Sequence, residues 1–303
     1  MLIRYPRPPM TEAGPVASQM TAHRSALTSA PTPARAAALL PLLEAREVTK
    51  AFGGHRAVDG LTFTLGRGAI TGLIGPNGAG KTTLFNCLAG ALAPDGGRIT
   101  LAGHDITRAS PARIFAAGLA RTFQIPRPFP GLSVLENVML APRQQIGERP
   151  WNNWLRPAAV MAEERRTREA ALHWLGFVGL TRLADEPARV LSGGQRKLLE
   201  LARAMVAEPR LVLLDEPGAG VNPALLEEIV EKIARLNREQ GVSFLIIEHN
   251  MDLVAGLCNP VLVMAEGRLL TQGRPDQVLA DPRVVDAYLG DGAAASAAQV
   301  PHG

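Results

Sequence analysis

The fold of this chain is decided by one stretch of sequence, Gly75-Pro76-Asn77-Gly78-Ala79-Gly80-Lys81-Thr82-Thr83. A β-prone run from Ala69 to Ile74 precedes it, and a helical pattern from Leu84 to Leu92 follows it. The spacing G-x-x-x-x-G-K-[ST] between a buried strand and a helix is typical of a phosphate-binding P-loop. A glycine-rich turn with a chance Lys-Thr pair is the alternative, but the agreement of both flanks favours a nucleotide site.

The residue types of this stretch suit an anionic ligand. Its three glycines allow the backbone to curl so that successive N–H groups point into one nest. The helix that follows adds unpaired N–H groups and the positive end of its dipole, an effect on the order of 1 kcal/mol. Lys81 would place a full positive charge at the β- and γ-phosphates, and the Thr82 hydroxyl would ligate Mg²⁺. We therefore predict that the chain binds ATP with Mg²⁺.

Composition limits the class of protein. With 303 residues, 47% hydrophobic and 20% charged, the chain suits one large soluble domain, two small ones, or a domain with a tail. The net charge of +4 does not indicate nucleic-acid binding, because most of the excess lies in Met1 to Leu40, which holds four arginines against one glutamate. No apolar run reaches the roughly 20 residues that a membrane-spanning helix needs. These features predict a cytosolic protein without a nucleic-acid partner.

The two cysteines, Cys87 and Cys258, show neither metal-ligand nor C-x-x-C spacing. We expect both to be reduced thiols in the core. Residues 1–40 are rich in Pro, Ala, Ser and Thr without periodicity and are predicted to be disordered, because they cannot bury enough apolar surface to offset their ordering entropy. The folded domain is predicted at 41–290, followed by a loose tail at 291–303.

Short β-prone runs lie on both sides of the P-loop. They cover Leu43 to Lys50, Leu61 to Leu65 and Arg98 to Leu101, and they predict an antiparallel sheet beside the P-loop core. Phe52 falls in the predicted loop between the first two strands. An aromatic ring there could stack on adenine or pack in the core, and position alone does not separate the two.

The middle of the chain is predicted to be a helical insertion at about 125–195. A strand from Leu119 to Phe123 delivers Gln124 to a proline-rich loop, and a polar side chain at the end of a buried strand needs a partner. Ser133 and Glu136 have the spacing of a capping box that opens another helix. This region therefore joins a second, helical part to the P-loop core.

A charged amphipathic helix is predicted from Ala158 to Leu175, after a segment that contains Trp151 and Trp154. Tryptophan is enriched at protein interfaces, so the pair could anchor a partner. We expect instead that both rings pack under a loop.

Two further motifs follow the helical insertion. Leu191-Ser192-Gly193-Gly194-Gln195 precedes a strongly periodic helix, and the apolar run Leu211 to Leu214 ends in Asp215-Glu216. A carboxylate pair at the end of a buried parallel strand lies in the ligand crevice of an α/β sheet. Asp215 is placed to hold Mg²⁺, directly or through water, and Glu216 is placed to take a proton from an attacking water.

A third buried strand, Ser243 to Ile247, ends in Glu248-His249. A single histidine is usually structural. This one ends a core strand at the edge where the P-loop and the carboxylates lie, which favours a contact with the γ-phosphate.

Taken together, these residues resemble the nucleotide-binding domain of ABC transporters over about Leu43 to Gly290. The resemblance implies an α/β fold with a RecA-like P-loop NTPase core, an antiparallel β subdomain and a helical subdomain. It also implies a head-to-tail dimer in which Ser192, Gly193, Gly194 and Gln195 approach the γ-phosphate held by the opposite subunit. Six motifs carry it: the adenine-stacking Phe52, the Walker A loop Gly75 to Thr83, the Q-loop Gln124, the signature Leu191 to Gln195, the Walker B strand Leu211 to Glu216, and the switch His249.

Within that family, the chain is similar to the ATPase subunits of branched-chain amino-acid importers, a group that extends to urea and short amides. The resemblance rests on four segments: Arg121 to Gln124, Glu216 to Pro223, Glu248 to Met251 and Ala287 to Gly290. It implies transmembrane permeases as partners, a solute-binding protein as an indirect one, and a place on the cytoplasmic face of the membrane. The second ATP-binding subunit could be identical or paralogous.

The mechanism implied is ATP-driven closure of the dimer, followed by hydrolysis and reopening. Glu216, His249 and Gln124 would act in catalysis, with Thr82, Gln124 and Asp215 around Mg²⁺. DNA-repair and chromosome ATPases of this type would need a long coiled-coil insertion or zinc modules, and a translation factor would need two cassettes; this sequence shows neither. An exporter ATPase, such as a lipopolysaccharide system, is the nearest alternative.

Overall fold

The computed structural model describes residues 41–122, 128–142 and 150–288. Within these ranges the ten strands are β1 Leu43–Phe52, β2 His55–Leu65, β3 Ile70–Ile74, β4 Gly96–Leu101, β5 His104–Asp105, β6 Leu119–Arg121, β7 Leu211–Asp215, β8 Ser243–Ile247, β9 Val261–Ala265 and β10 Arg268–Gly273. The helices are α1 Lys81–Leu88, α2 Pro111–Ala117, α3 Val134–Met139, α4 Pro150–Leu155, α5 Pro157–Phe177, α6 Gly193–Met205, α7 Pro223–Gln240, α8 Met251–Leu257 and α9 Pro275–Leu279, and residues 282–288 are helical as well.

The central sheet carries the site. Its six strands have the order β10-β9-β3-β8-β7-β6, and all are parallel except β10. Every residue of β3, β7 and β8 is buried, as expected of parallel strands covered on both faces. The P-loop, the carboxylate pair and the histidine follow these three neighbouring strands, so they meet at one edge of the sheet.

The side chains of the central strands alternate between two hydrophobic cores. In β7, Val212 and Leu214 belong to the core that contains the helical part, whereas Leu211 and Leu213 belong to the core beneath the antiparallel sheet. This alternation follows from the two-residue period of a β-strand. The central sheet therefore separates the two cores.

The antiparallel sheet has the order β2-β1-β4-β5, which confirms the prediction of such a sheet beside the P-loop core. β1 and β2 form a hairpin that pairs Leu43 with Leu65 and Phe52 with His55. The prediction that Phe52 lies in the loop was wrong, because strand pairing continues to that residue. Phe52 is 49% exposed, which also excludes the core alternative.

The helical part begins with the predicted capping box. Ser133 Oγ accepts a hydrogen bond from the Glu136 N–H, and Glu136 Oε2 accepts one from the Ser133 N–H at 2.7 Å. Asn137, one turn further on and fully buried, bonds the backbone of Phe129, Leu132 and Ser133. These bonds fix the turn where the chain enters the helical part.

The expectation that Trp151 and Trp154 pack under a loop was wrong. The two residues are 76% and 86% exposed. They stand three residues apart on the short helix α4, so both rings share one face of it. The tryptophan that packs in this region is Trp174 on α5, which is buried and makes an edge contact with Phe177.

Several predicted features lie outside the described residues. They are the 1–40 segment, residues 123–127, which include Gln124 and the first part of its loop, and the 291–303 segment. Within the described ranges, no helix is both long enough and apolar enough to cross a bilayer.

Candidate nucleotide-binding site

The P-loop backbone needs glycine at two positions for steric reasons. Gly75 and Gly80 have φ angles of 148° and 95°. A Cβ atom on Gly75 would lie 2.0 Å from the Met264 carbonyl oxygen, and one on Gly80 would lie 2.0 Å from that of Ala57. The loop is therefore pressed against neighbouring strands on both sides, and only glycine fits there.

Lys81 is buried at the start of α1, and its ammonium group folds back over the loop. Lys81 Nζ donates hydrogen bonds to the carbonyl oxygens of Gly75 at 2.7 Å and Pro76 at 2.8 Å. A positive charge is thus held at the mouth of the nest of backbone N–H groups, where a phosphate would bind.

A cleft of about 370 Å³ opens beside the P-loop. It brings together the predicted adenine contact, the phosphate loop and two of the predicted catalytic residues, Glu216 and His249. The lining residues are Phe52, His55, Ala57, Asn77, Gly78, Ala79, Gly80, Lys81, Thr82, Thr83, Glu216, Ile247 and His249. His55, which pairs with Phe52 across the hairpin, was not predicted from the sequence; its only signal was its position after the Gly53-Gly54 turn.

Glu216 and His249 contact each other across the cleft. Glu216 Oε1 lies 3.0 Å from His249 Nε2, and both side chains are accessible from the cleft. Glu216 has a φ of 50°, a left-handed conformation that is uncommon for residues other than glycine. Its N–H donates to the Ile247 carbonyl at 2.9 Å, so the strained residue is fastened to the neighbouring strand.

Asp215 lies deeper, with 5% of its surface exposed. Burial raises the pKa of its carboxyl, and the positive charge of Arg121 partly offsets that rise. Arg121 Nη2 donates to Asp215 Oδ2 at 3.2 Å and Arg121 Nη1 donates to Asn86, a residue of α1. The sequence pattern included Arg121 only as part of a motif and did not predict this pairing.

The signature segment is built as a helix start. Ser192 is the N-cap of α6, its Oγ accepts from the Gln195 N–H, and Gln195 Oε1 accepts from the Ser192 N–H at 2.9 Å. Gly194 is buried, and a Cβ atom there would lie 1.8 Å from Leu225 Cδ2. Ser192 and Gly193 are exposed. Among the described residues that line the P-loop cleft, none belongs to this segment.

Two residues that support the site were not predicted from the sequence. Tyr288, in the helical residues 282–288, accepts a hydrogen bond from the Gly75 N–H. Lys197, on α6, donates to three backbone carbonyls of the turn that contains Glu216. Both contacts join parts of the chain that are distant in sequence, and local patterns do not show them.

Known protein families and solved structures that match this chain are nucleotide-binding cassettes, in agreement with the P-loop site. A model of the ABC transporter family matches residues 58–219, and a model described as branched-chain amino acid ATP-binding cassette transporter matches residues 268–294. One solved structure is that of a nucleotide-free ATP-binding cassette from an ABC transporter. Its sequence is 37% identical to this chain, and the two structures superpose with a TM-score of 0.70, covering 82% of this chain and 98% of that chain. A crystal structure of the ADP conformation of an ATP-binding cassette of an ABC transporter also has 37% sequence identity to this chain and a TM-score of 0.71, covering 83% of this chain and 99% of that chain.

Curated relatives cover the same part of the chain. A probable branched-chain amino acid transport ATP-binding protein of Archaeoglobus fulgidus is 40% identical over 255 residues, which are 83% of this chain and 96% of that protein. The high-affinity branched-chain amino acid transport ATP-binding protein BraF of Pseudomonas aeruginosa is 39% identical over 251 residues, or 83% and 98%. The chain therefore belongs to the ATP-binding cassette family of ABC transporters, in its branched-chain amino acid group.

Proposed function

We propose that this chain is the ATP-hydrolysing subunit of an importer for branched-chain amino acids or related small polar solutes, and that it works as a head-to-tail dimer at the cytoplasmic face of the membrane. The observation that carries this proposal is that the predicted nucleotide-contacting residues lie in two separate places on the chain. The P-loop, Glu216 and His249 share one cleft, whereas the helix start at Ser192 lies outside that cleft and is exposed. A second subunit would complete the site.

Within the cleft, each side chain has a role that its chemistry supports. Phe52 offers an exposed ring face for adenine, and the loop with Lys81 binds the phosphates. The Glu216 carboxylate orients the attacking water and takes its proton, and His249 contacts the γ-phosphate. In such a reaction, positioning and charge neutralisation contribute most of the rate enhancement.

The residues near the P-loop also suit Mg²⁺, which prefers oxygen ligands. Thr82, which carries a hydroxyl, lines the cleft, and Asp215 provides a carboxylate whose pKa is raised by burial. A nearby cation would favour the ionised form of that carboxylate. When bound, Mg²⁺ would neutralise charge on the β- and γ-phosphates. Gln124, the third predicted ligand, lies outside the described residues.

A dimer also explains why the signature segment has its particular form. Exposed N–H groups at the start of a helix attract anions, and glycine lets a ligand approach the backbone closely. Gly193 is exposed, and even a Cβ atom added to it would have no neighbour within 4 Å, so a phosphate held by another subunit has room to approach. The same segment on each partner would then complete the other's P-loop.

The test of this proposal uses Glu216→Gln, which keeps the shape of the side chain and removes the base. We expect this variant to bind ATP, to hydrolyse it at least about 100-fold more slowly than the wild type, and to form an ATP-dependent dimer in sedimentation. Near-normal turnover would remove Glu216 from the mechanism. A Glu216→Gln protein that stays monomeric at saturating ATP would contradict the head-to-tail dimer.

The direction of transport needs its own experiment. The names of the curated relatives support transport of branched-chain amino acids without giving its direction, and an exporter would have a similar ATPase core. The tagged chain should co-purify with permeases, and a reconstituted complex should hydrolyse ATP faster when a binding protein loaded with a branched-chain amino acid is added. Stimulation by a lipid cargo instead would favour export.

A further inference from the structure

Lys197 makes three hydrogen bonds that the proposed reaction does not yet use. It lies on α6, five residues after Ser192, and its side chain crosses to the turn at the end of β7. Lys197 Nζ donates to the carbonyl oxygens of Glu216 at 3.0 Å, Pro217 at 2.9 Å and Ala219 at 2.6 Å. An ammonium group has three protons, so all of its donors are used on one turn.

The turn that Lys197 holds is under strain. Glu216 sits in the left-handed region at a φ of 50°, a conformation that persists only where the surroundings enforce it. Glu248, which is 4% exposed, accepts a hydrogen bond from the Gly218 N–H at 2.7 Å on the other side of the same turn. Lys197 therefore fixes the carbonyls of the turn, and Glu248 fixes one of its N–H groups.

The environment of Lys197 differs from that of an ordinary surface lysine. Burial lowers the pKa of its ammonium group, and the carboxylates of Glu248 and Glu216 oppose that effect. A lysine on a solvated helix face would stay extended into water, whereas this one is half-buried and converges on backbone oxygens. Its three bonds all fall on the turn that orients the Glu216 carboxylate toward His249 and the cleft.

We propose that Lys197 is a positioning residue that couples helix α6 to the Glu216 turn, so that a displacement of the signature end moves the carboxylate. A rigid helix carries Ser192 at its start and Lys197 about one turn later. The response of α6 to a nucleotide on a second subunit depends on the proposed dimer. The contact of Lys197 with the Glu216 turn, in contrast, does not depend on the dimer, because it rests on the three hydrogen bonds within this chain.

The experiment compares Lys197→Met with Lys232→Met. Lys232 is a matched control because it is also a half-buried lysine on a helix and donates to one backbone carbonyl, that of Phe177 at 3.0 Å. We expect Lys197→Met to lower kcat at least about tenfold while KM and the affinity for a fluorescent ATP analogue stay within about twofold. Lys232→Met should leave kcat unchanged.

A double-mutant cycle with Glu216→Gln separates positioning from a general loss of structure. If Lys197 acts through the Glu216 carboxylate, Lys197→Met should cause little further loss of turnover once that carboxylate is gone. A kcat loss that is as large in the Glu216→Gln background as in the wild type would overturn the proposal, and so would a normal kcat in Lys197→Met.

A second variant and a separate sedimentation measurement make the outcome of the Lys197 experiment unambiguous. If Lys197→Met unfolds, Lys197→Arg takes its place, because a planar guanidinium keeps the charge but cannot converge on three carbonyls. A reduced kcat and the same non-additivity with Glu216→Gln then support the proposal, and a wild-type kcat overturns it. Sedimentation of Glu216→Gln with ATP tests the dimer separately, so its failure would not be confused with a failure of the Lys197 coupling.

Discussion

Tyr288 Oη accepts a hydrogen bond from the backbone N–H of Gly75 at 2.8 Å. The two residues are 213 positions apart, and the bond fastens the helical residues 282–288 to the first glycine of the P-loop. The carbonyl of the same glycine accepts from Lys81, so the C-terminal helix, the loop and the phosphate-binding lysine form one chain of contacts. Burial raises the pKa of the Tyr288 hydroxyl, which therefore stays neutral at physiological pH.

Tyr288→Phe should weaken ATP binding. The variant keeps the ring and removes one hydrogen bond, which is worth about 1 kcal/mol, so we expect KM for ATP to rise roughly two- to tenfold with a smaller change in kcat. Steady-state ATPase kinetics with an independent binding titration would measure both. An unchanged KM together with a lowered melting temperature would show that the bond serves stability alone.

Lys81→Ala should abolish most of the affinity for nucleotide. The substitution removes a buried positive charge from the mouth of the loop, which costs about 2 kcal/mol or more, or at least about 30-fold in Kd. Isothermal titration with ATP would measure this, with Arg274→Ala as the control because it also removes one positive charge but from an exposed ion pair. Unchanged ATP binding in Lys81→Ala would count against the P-loop assignment.

Gly80→Ala and Gly78→Ala should differ, although both glycines have positive φ angles. A Cβ atom on Gly80 would overlap the Ala57 carbonyl at 2.0 Å, whereas one on Gly78 has no atom within 4 Å. We expect Gly78→Ala to cost about 1 kcal/mol of stability from strain alone and Gly80→Ala to cost several. Chemical denaturation of both variants would test the contrast, and equal losses would contradict it.

The cysteines should be unreactive in the folded protein. Burial raises the pKa of Cys87 to about 11 and that of Cys258 to about 12, which agrees with the prediction of core thiols. Because the thiolate is the reactive form, only about 1 in 1,000 Cys87 thiols would be ionised at pH 8. Labelling with dithionitrobenzoate should be slow at pH 8, should accelerate as the pH rises toward 11, and should reach two equivalents in denaturant. Two rapid equivalents at pH 8 would refute this.

The parts of the fold that the sequence predicted are those with local signals. The P-loop and the capping box at Ser133 each depend on residues within a few positions of one another, and the structure confirms both. The parallel strands were recognisable because they are continuous apolar runs. Their shared edge followed from topology rules, which is why Glu216 and His249 were expected to meet.

The features that were missed depend on distant parts of the chain. Strand pairing with β2 extends β1 to Phe52, and packing on α5 determines which face of α4 is left to solvent, so Trp151 and Trp154 are exposed. The partners of Lys197 are carbonyl oxygens, which every residue has, and no sequence pattern identifies them. Likewise, a tyrosine near the end of the chain carries no sign that its hydroxyl reaches Gly75.

The capping box at Ser192 and Gln195 has a consequence for how quickly two subunits can meet. Because the segment is already hydrogen-bonded to itself, its geometry is complete before any second molecule arrives. Docking then requires no local folding, and the encounter between subunits should be limited by diffusion and orientation. Each time the subunits of the dimer separate and meet again, the contact surface at Ser192 would already be in its bound geometry.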